Sequence, residues 1–441
     1  MATTYLTWTP SQNGTRTKFT TSFWVKRSGL SSGQSPIFSS DISDSNDTYS
    51  MMYFVNDVLA FYSKDNTTTL YFLTNQKFRD VNGWYHIVIT FDTTQTTASN
   101  RVKFYVNGEQ ITSFDTATYP PLDADNTWFN RNWEHVIGRR SYDGATYFDG
   151  SLSHFNFIDG TAYDASAFGS TDSTTGEWVI TTNPSVTYGT NGFFILKDGN
   201  SVTDQSGNSN NWTVGGGTLT KTEDNPSNVF ATLNPLNQIS SVSYTNGNNT
   251  FTNSTGTGNR LAFPTLDMPS GKFYCEMKVV TLGSNFTHIG LRNIGSYTLT
   301  NAYVNDPTNE KVSYVNDGRI FTHGGTTSSG NPTFTSGDII GMACDMDNGY
   351  LYYHKNGTYV NSGSPTSGAS GTGGFDIYNH ASIDYCFAVS NSGDSSPPVI
   401  SANFGNGYFG ATAVSSAGTN ASNNGIFEYD VPTGYTALST K

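Results

Sequence analysis

The run DNTWFNRNWEH, Asp125 to His135, sets Trp128, Phe129 and Trp133 among asparagines, an arginine and a glutamate. Aromatic faces stack on the apolar CH faces of sugar rings, and amides or carboxylates beside them bond the hydroxyls, so this stretch is equipped for carbohydrate contact. The competing reading has the same rings plugging the end of a folded core. Tyr142 and Tyr147, on either side of Asp143-Gly144-Ala145-Thr146, form a second candidate pair for stacking.

Catalysis finds less support. A retaining glycosidase needs two carboxyls roughly 5–5.5 Å apart, which a strand supplies at alternate positions in a pattern such as E-x-D-x-x-E. The glutamates are Glu109, Glu134, Glu177, Glu223, Glu276, Glu310 and Glu428, and none begins such a motif. Asp345 and Asp347 alternate correctly, but Asn348-Gly349 follows at once, and a solvated hairpin tip is expected. No G-x-S-x-G elbow is present. His86, His154, His288 and His354 fall inside strand-like runs, where a half-buried histidine on a sheet face is the default, and His135 stands at a strand start. No catalytic residue is expected, and the chain reads as a non-enzyme.

The elements that must position these residues are strands. Charged residues make up 13% of the 441, against roughly 25% in ordinary globular proteins. Thr, Ser, Asn and Gly supply the polarity, with 26 Tyr and 29 Phe, a mixture that suits strands and turns and starves helices. In KFTTSFWVKRSG, Phe19, Thr21, Phe23 and Val25 share one face, the period of two of a half-buried strand. In RVKFYVNGEQI, Val102, Phe104 and Val106 face one way, and Asn107-Gly108 supplies a type I′ turn. The stretch GDIIGMACDMDNGYLYYHKNG has the same layout in the second half. One short helix is expected at YDASAFG, with Asp164 as N-cap and Gly169 at the far end.

The fold class is therefore all-β, with two tandem antiparallel β-sandwich or jelly-roll domains at 1–220 and 261–441. Residues 221–260 change to an Asn/Gly/Ser/Thr-dense segment, read as a linker or surface excursion with one or two edge strands. The net charge of −13 disfavours nucleic acid, and no apolar run approaches the roughly 20 residues of a membrane span. The start MATTYLTWTPSQNGTR lacks a basic-then-apolar leader, from which folding in a cytoplasm is expected. Three cysteines without C-x-x-C spacing, Cys275, Cys344 and Cys386, are expected to be buried free thiols.

The ordered set FTTSFWVKRSG, NGWYHIVITFDTT, RVKFYVNGEQI, HVIGRR and FDGSLSHFNFIDG resembles the laminin-G-like, concanavalin-type jelly roll over residues 5–215. It is similar to the version found in structural proteins of marine tailed phages. The segments that carry this likeness are Trp24 to Ser28, Thr175 to Trp178, Tyr188 to Phe194 and Asp204 to Trp212, with DNPSNVFATLNPL and VPTGYTALST beyond them. The second half resembles a SPRY domain in GDIIGMACDMDNGYLYYHKNG and in VISANFGNGYFG, with Asn403, Phe404 and Gly405; KFYCEM stands where many such domains carry W-Y-E.

The resemblance implies a non-enzymatic virion component, a tail-fibre, knob or capsid-decorating protein assembled in the host cytoplasm. Its implied partners are other virion proteins, copies of itself and a host-surface glycan. The alternatives are a lectin or adhesin outside any virion, and a polysaccharide-degrading enzyme. Laminin-G-like rims also hold calcium, which makes Asp41, Asp44 and Asp47 a candidate metal site, with Asp123 and Asp125 beside it; a polar loop is the alternative, and no other cofactor is expected.

Overall fold

The computed structural model describes all residues except 1–2, 31, 43–45, 126, 198, 200, 237–241, 254–259, 295–310, 324 and 392–395. It divides into two compact units, Met1–Lys221 and Thr222–Lys441.

In the first unit an eight-stranded sheet runs in the order Phe114–Thr118, Thr67–Lys77, Val58–Asp65, Thr48–Val55, Ser35–Asp41, His135–Ile137, Tyr5–Trp8 and Thr213–Gly216. A six-stranded sheet runs Phe193–Ile195, Gly150–Asp159, Lys18–Arg27, Tyr85–Asp92, Val102–Val106 and Glu109–Ile111. Neighbouring strands in these two sheets pair antiparallel, as Lys18–Arg27 does with Tyr85–Asp92. The core between the sheets is built on phenylalanine: Phe38 stacks on Phe129 with centroids 4.4 Å apart, and Phe19 on Phe91 at 4.7 Å. Such pairs contribute beyond the area they bury. Asn107 and Gly108 take φ of 47° and 86°, the left-handed pair that a type I′ hairpin requires.

The second unit pairs Val242–Thr245, Thr250–Asn253, Val399–Asn403, Lys272–Thr281, Ile339–Asp345, Tyr350–Lys355 and Thr358–Tyr359 in one sheet. Thr436–Ala437 adds in parallel to Lys272–Thr281. The other sheet runs Arg260–Ala262, Tyr385–Asn391, Thr287–Asn293, Lys311–Val315, Ile320–Thr322 and Gly325–Ser328. Its core mixes Met277, Met342, Tyr314 and Tyr353 with Cys275 and Cys344. All three cysteines are free and buried. Asn356 and Gly357 repeat the left-handed pair at 49° and 83°.

Three expectations change in detail. The segment read as a linker lies, from Thr222 on, within the second unit, and its strands Val242–Thr245 and Thr250–Asn253 form an edge that Thr250–Asn253 joins to Val399–Asn403. The expected helix is a three-residue 3-10 turn, Ala165–Ala167. Asp164 caps it by accepting the Ser166 N–H at 3.0 Å, and Gly169 begins a strand instead of closing the turn. Asp345 is fully buried, not solvated: it bonds the Lys272 ammonium at 2.7 Å and the Asn348 amide at 2.8 Å.

Candidate functional site: a tyrosine face on the first unit

The strand Thr48–Val55 alternates Met52 and Phe54 into the core with Tyr49, Met51 and Tyr53 on the opposite face. Register carries that second face across the sheet: Met51 pairs with Tyr62, Tyr62 with Tyr71, Tyr53 with Ala60, and Ala60 with Leu73. Side chains opposite one another on adjacent strands touch. Tyr62 and Tyr71, directly opposite, meet at 5.3 Å between ring centroids, and Tyr49 and Tyr62, diagonal neighbours, at 5.4 Å.

The loop after His135–Ile137 lays a fifth ring on this face, with Tyr142 4.6 Å from Tyr49. Arg140 holds that loop in place. It donates to Asp143 through Nε at 2.8 Å and to Gln34 through Nη1 at 2.7 Å, and its guanidinium lies 4.8 Å from the Tyr142 ring. The Arg140 hydrogen bonds hold Asp143 below the usual carboxylate range. Burial pushes the Tyr49 and Tyr53 phenols up, and the neighbouring phenols push them further, so they remain protonated at neutral pH. Tyr62, Tyr71 and Tyr142 are half-buried. The result is a sheet of ring faces and neutral hydroxyls, suited to stacking on a saccharide and hydrogen-bonding it.

Of the residues singled out in the sequence, only Tyr142 belongs to this face. Trp128 and Phe129 are 5% and 0% exposed, which corrects the expectation that they stack on a ligand. Phe129 is core. Trp128 donates its indole N–H to the Lys64 carbonyl at 2.8 Å, and its ring lies under the Arg131 guanidinium at 4.1 Å. Trp133 is 36% exposed, and Tyr147 is half-buried against Tyr5 at 6.2 Å. Tyr49, Tyr53, Tyr62 and Tyr71 were missed, although TYSMMYFV, AFYS and TLYFLT display them.

Of the calcium candidates, Asp41 is buried on Ser35–Asp41, Asp44 lies outside the described residues, and Asp47 is paired with Lys64 at 2.6 Å. Asp125 is paired with Arg16. Among the described residues no group of three or more His, Cys, Asp or Glu is placed to hold a metal.

Three buried imidazoles share one arrangement. Trp178 donates its indole N–H, which can only donate, to His86 Nδ1 at 2.9 Å, so His86 carries its proton on Nε2 and gives it to Ser22 Oγ at 2.9 Å. A serine that receives a proton from histidine cannot give one to it, and burial drives His86 down to about 3. His135 accepts the Asn130 N–H at Nε2 and donates from Nδ1 to the Trp133 carbonyl; burial lowers it to about 4. His354 accepts the Gly357 N–H at Nδ1, and burial lowers it to about 4. These side chains hold structure.

The chain is similar to known proteins in parts. Residues 1–166 match the sequence model of the concanavalin A-like lectin/glucanases superfamily, of laminin-G type. A Ran-binding proteins 9/10 homolog of Drosophila melanogaster is 32% identical over 101 residues, 22% of this chain and 10% of the relative. Ran-binding protein 9 of Xenopus tropicalis is 34% identical over 90 residues, 20% of this chain and 16% of the relative. The chain thus spans less than a fifth of the length of these curated relatives. The SPRY domain of human HERC1 aligns with TM-score 0.31 and 15% identity, covering 38% of this chain and 96% of that structure. A pentraxin from Limulus polyphemus aligns with TM-score 0.27 and 17% identity, covering 36% and 71%. The matched residues 1–166 lie in the first unit, the antiparallel sandwich laid out above.

Proposed function

We propose that the chain is a non-enzymatic component of a tailed-phage virion, a tail-fibre, knob or capsid-decorating protein, that holds a host-surface saccharide on the tyrosine face of its first unit. The observation that carries the binding role is the run of tyrosines across the face opposite the core, in which the half-buried Tyr62, Tyr71 and Tyr142 present ring faces over the buried Tyr49 and Tyr53. The resemblance of ordered sequence segments to phage structural proteins supports the setting. The relatives named as Ran-binding proteins support protein contacts as well. On a particle these are contacts with other virion proteins and with further copies of this chain.

A glycan array probed with the full chain tests the ligand. Saturable binding that falls about tenfold in Tyr62→Ala and Tyr142→Ala, and is unchanged in Trp133→Ala, is expected; one buried stacking ring is worth roughly that factor. Flat signal across the array ends the saccharide reading. Labelling of the chain on intact particles tests the virion setting separately. The match to a superfamily that includes lectins favours, as a second reading, a free lectin or adhesin, for which no particle would carry the label.

A further inference from the structure

In the second unit a polar row crosses five strands on the sheet face opposite the main core. Asn403 pairs with Glu276, Glu276 with Gly341, Gly341 with His354, and His354 with Tyr359. Gly341 must lack a side chain, because a Cβ there would run into the His354 imidazole. The space lets His354 reach over the middle strand to Tyr274, two residues before Glu276 on the same face. The segment Phe427 to Ala437 covers the row as a strap, packing Phe427, Val431 and Tyr435 against Tyr274 and Tyr352. Glu276, fully buried, accepts the Glu428 N–H at 2.9 Å and the Tyr429 N–H at 2.8 Å from this strap.

These bonds have a direction. The Gly357 N–H donates to His354 Nδ1 at 3.1 Å, so the His354 proton is on Nε2 and goes to Tyr274 Oη at 2.6 Å; Tyr274 in turn donates to Glu276 Oε1 at 3.0 Å. The other partners of Glu276 are all donors: the two strap amides and Asn403 Nδ2 at 3.4 Å. Among the described residues, a proton on the Glu276 carboxyl has only the Tyr274 oxygen to accept it. Tyr274 then keeps its own proton bonded by turning it to His354 Nε2; the imidazole gives its Nε2 proton to solvent and takes one from solvent at Nδ1, which sets Nδ1–H against the Gly357 N–H.

We propose that Gly357, His354, Tyr274 and Glu276 form a directional hydrogen-bond relay, in which a proton taken up from solvent by Glu276 beneath the strap reverses the relay and releases the Gly357 amide in the turn before Thr358–Tyr359. The turn and the strap touch, since a Cβ on Gly357 would meet the Tyr429 ring at 2.8 Å. The device therefore links the ionisation of a buried carboxyl to the hold on a surface hairpin.

Among the described residues, the groups facing Glu276 are Tyr274 on its own strand, His354 and Tyr359 from the adjoining strands, and Glu428 and Tyr429 from the strap, with Cys275 next to it on the core side; Asn403 is neutral, and no cation bonds the Glu276 carboxyl. Burial, only partly offset by the hydrogen bonds, raises Glu276 to about 7, while His354 stays neutral above about 4. Between pH 5.5 and 8.5 Glu276 is thus the member that titrates.

The test is nitrogen NMR on the full chain labelled with 15N-histidine, with the His354 signals assigned through His354→Gln, and hydrogen exchange at Gly357 corrected for intrinsic rate. His354 is expected to pass from the Nε2–H to the Nδ1–H neutral tautomer as pH falls from 8.5 to 5.5, with Gly357 protection dropping about two- to tenfold, the worth of one hydrogen bond. Glu276→Gln is expected to hold one tautomer throughout, and Tyr274→Phe to disconnect His354 from pH. A single tautomer in the unaltered protein across this range overturns the relay, as does an imidazolium signal in its place or a switch that survives Tyr274→Phe. The unaltered protein suffices if a variant does not fold.

Discussion

In the first unit His86 and His135 are buried beside neutral partners, Ser22, Trp178, Asn130 and the Trp133 carbonyl. In the second unit His354 is buried the same way but ends, through one tyrosine, on a buried carboxyl. Neither unit holds a charge on its imidazole, because burial disfavours the charged form. The difference lies in what happens when protons are added. The first unit opposes every proton its buried histidines would take, whereas the second has one group that refuses a proton and one that welcomes it.

The largest expected effect is therefore a divergence with pH. Burial lowers His86 and His135 from the ordinary 6.5 to about 3 and 4 in the fold, so their stability is present above pH 6.5 and lost as pH falls toward 4. Each contributes on the order of 3 kcal/mol over that window. His354 behaves likewise, but Glu276 runs the other way: raised from 4.5 to about 7, it favours the fold below pH 4.5, and that contribution is lost as pH rises through 7. Between pH 4.5 and 6.5 the two slopes cancel. Calorimetry from pH 7 to 4.5 should show the transition of the first unit falling steeply and that of the second holding nearly level. Parallel decline of both would refute the comparison.

Phe129→Ala tests whether the units are energetically separate. It removes a ring stacked on Phe38 at the centre of the first core, so the first transition should lose about 3–5 kcal/mol with the second unmoved. A smaller loss would return Phe129 to the list of ligand-facing rings. Next in size, Glu276→Gln should make the second unit resemble the first. With the compensating carboxyl gone, its transition becomes acid-labile below pH 6.5 through His354, by roughly 2–3 kcal/mol at pH 4.5. A second transition that stays level in this variant would place the compensation elsewhere.

The all-β class could be read in the sequence because strand and turn signals are local. Phe19, Phe23 and Val25 alternate within one strand, and Asn107-Gly108 announces its own turn. The buried polar groups could not, because their partners are remote: Glu276 meets Glu428 across 152 residues and Tyr274 meets His354 across 80. For Trp128 the sequence left stacking and core-plugging both open, because the groups that hold it in place, Ser50 and the Lys64 carbonyl, are 78 and 64 residues away. The tyrosine face was hidden for the opposite reason. Both faces of Thr48–Val55 are apolar, so periodicity alone does not say which one is turned from the core.

The smallest expected change on stability belongs to that face, and it is where affinity should change most. Tyr62 pairs with Met51 and Tyr71 and bonds Thr68 Oγ1 at 2.9 Å through its hydroxyl, yet its ring is only half-buried. Tyr62→Phe keeps the ring and removes the hydroxyl, so it should cost under about 1 kcal/mol of the first transition, as a partly exposed hydrogen bond does. If the face stacks on sugar, Tyr62→Phe retains most of the glycan signal and Tyr62→Ala loses it. If the hydroxyl row does the binding, both variants lose it equally. Titration calorimetry against the best array hit separates the two, and equal retention in both variants would show that Tyr62 does not touch the ligand at all.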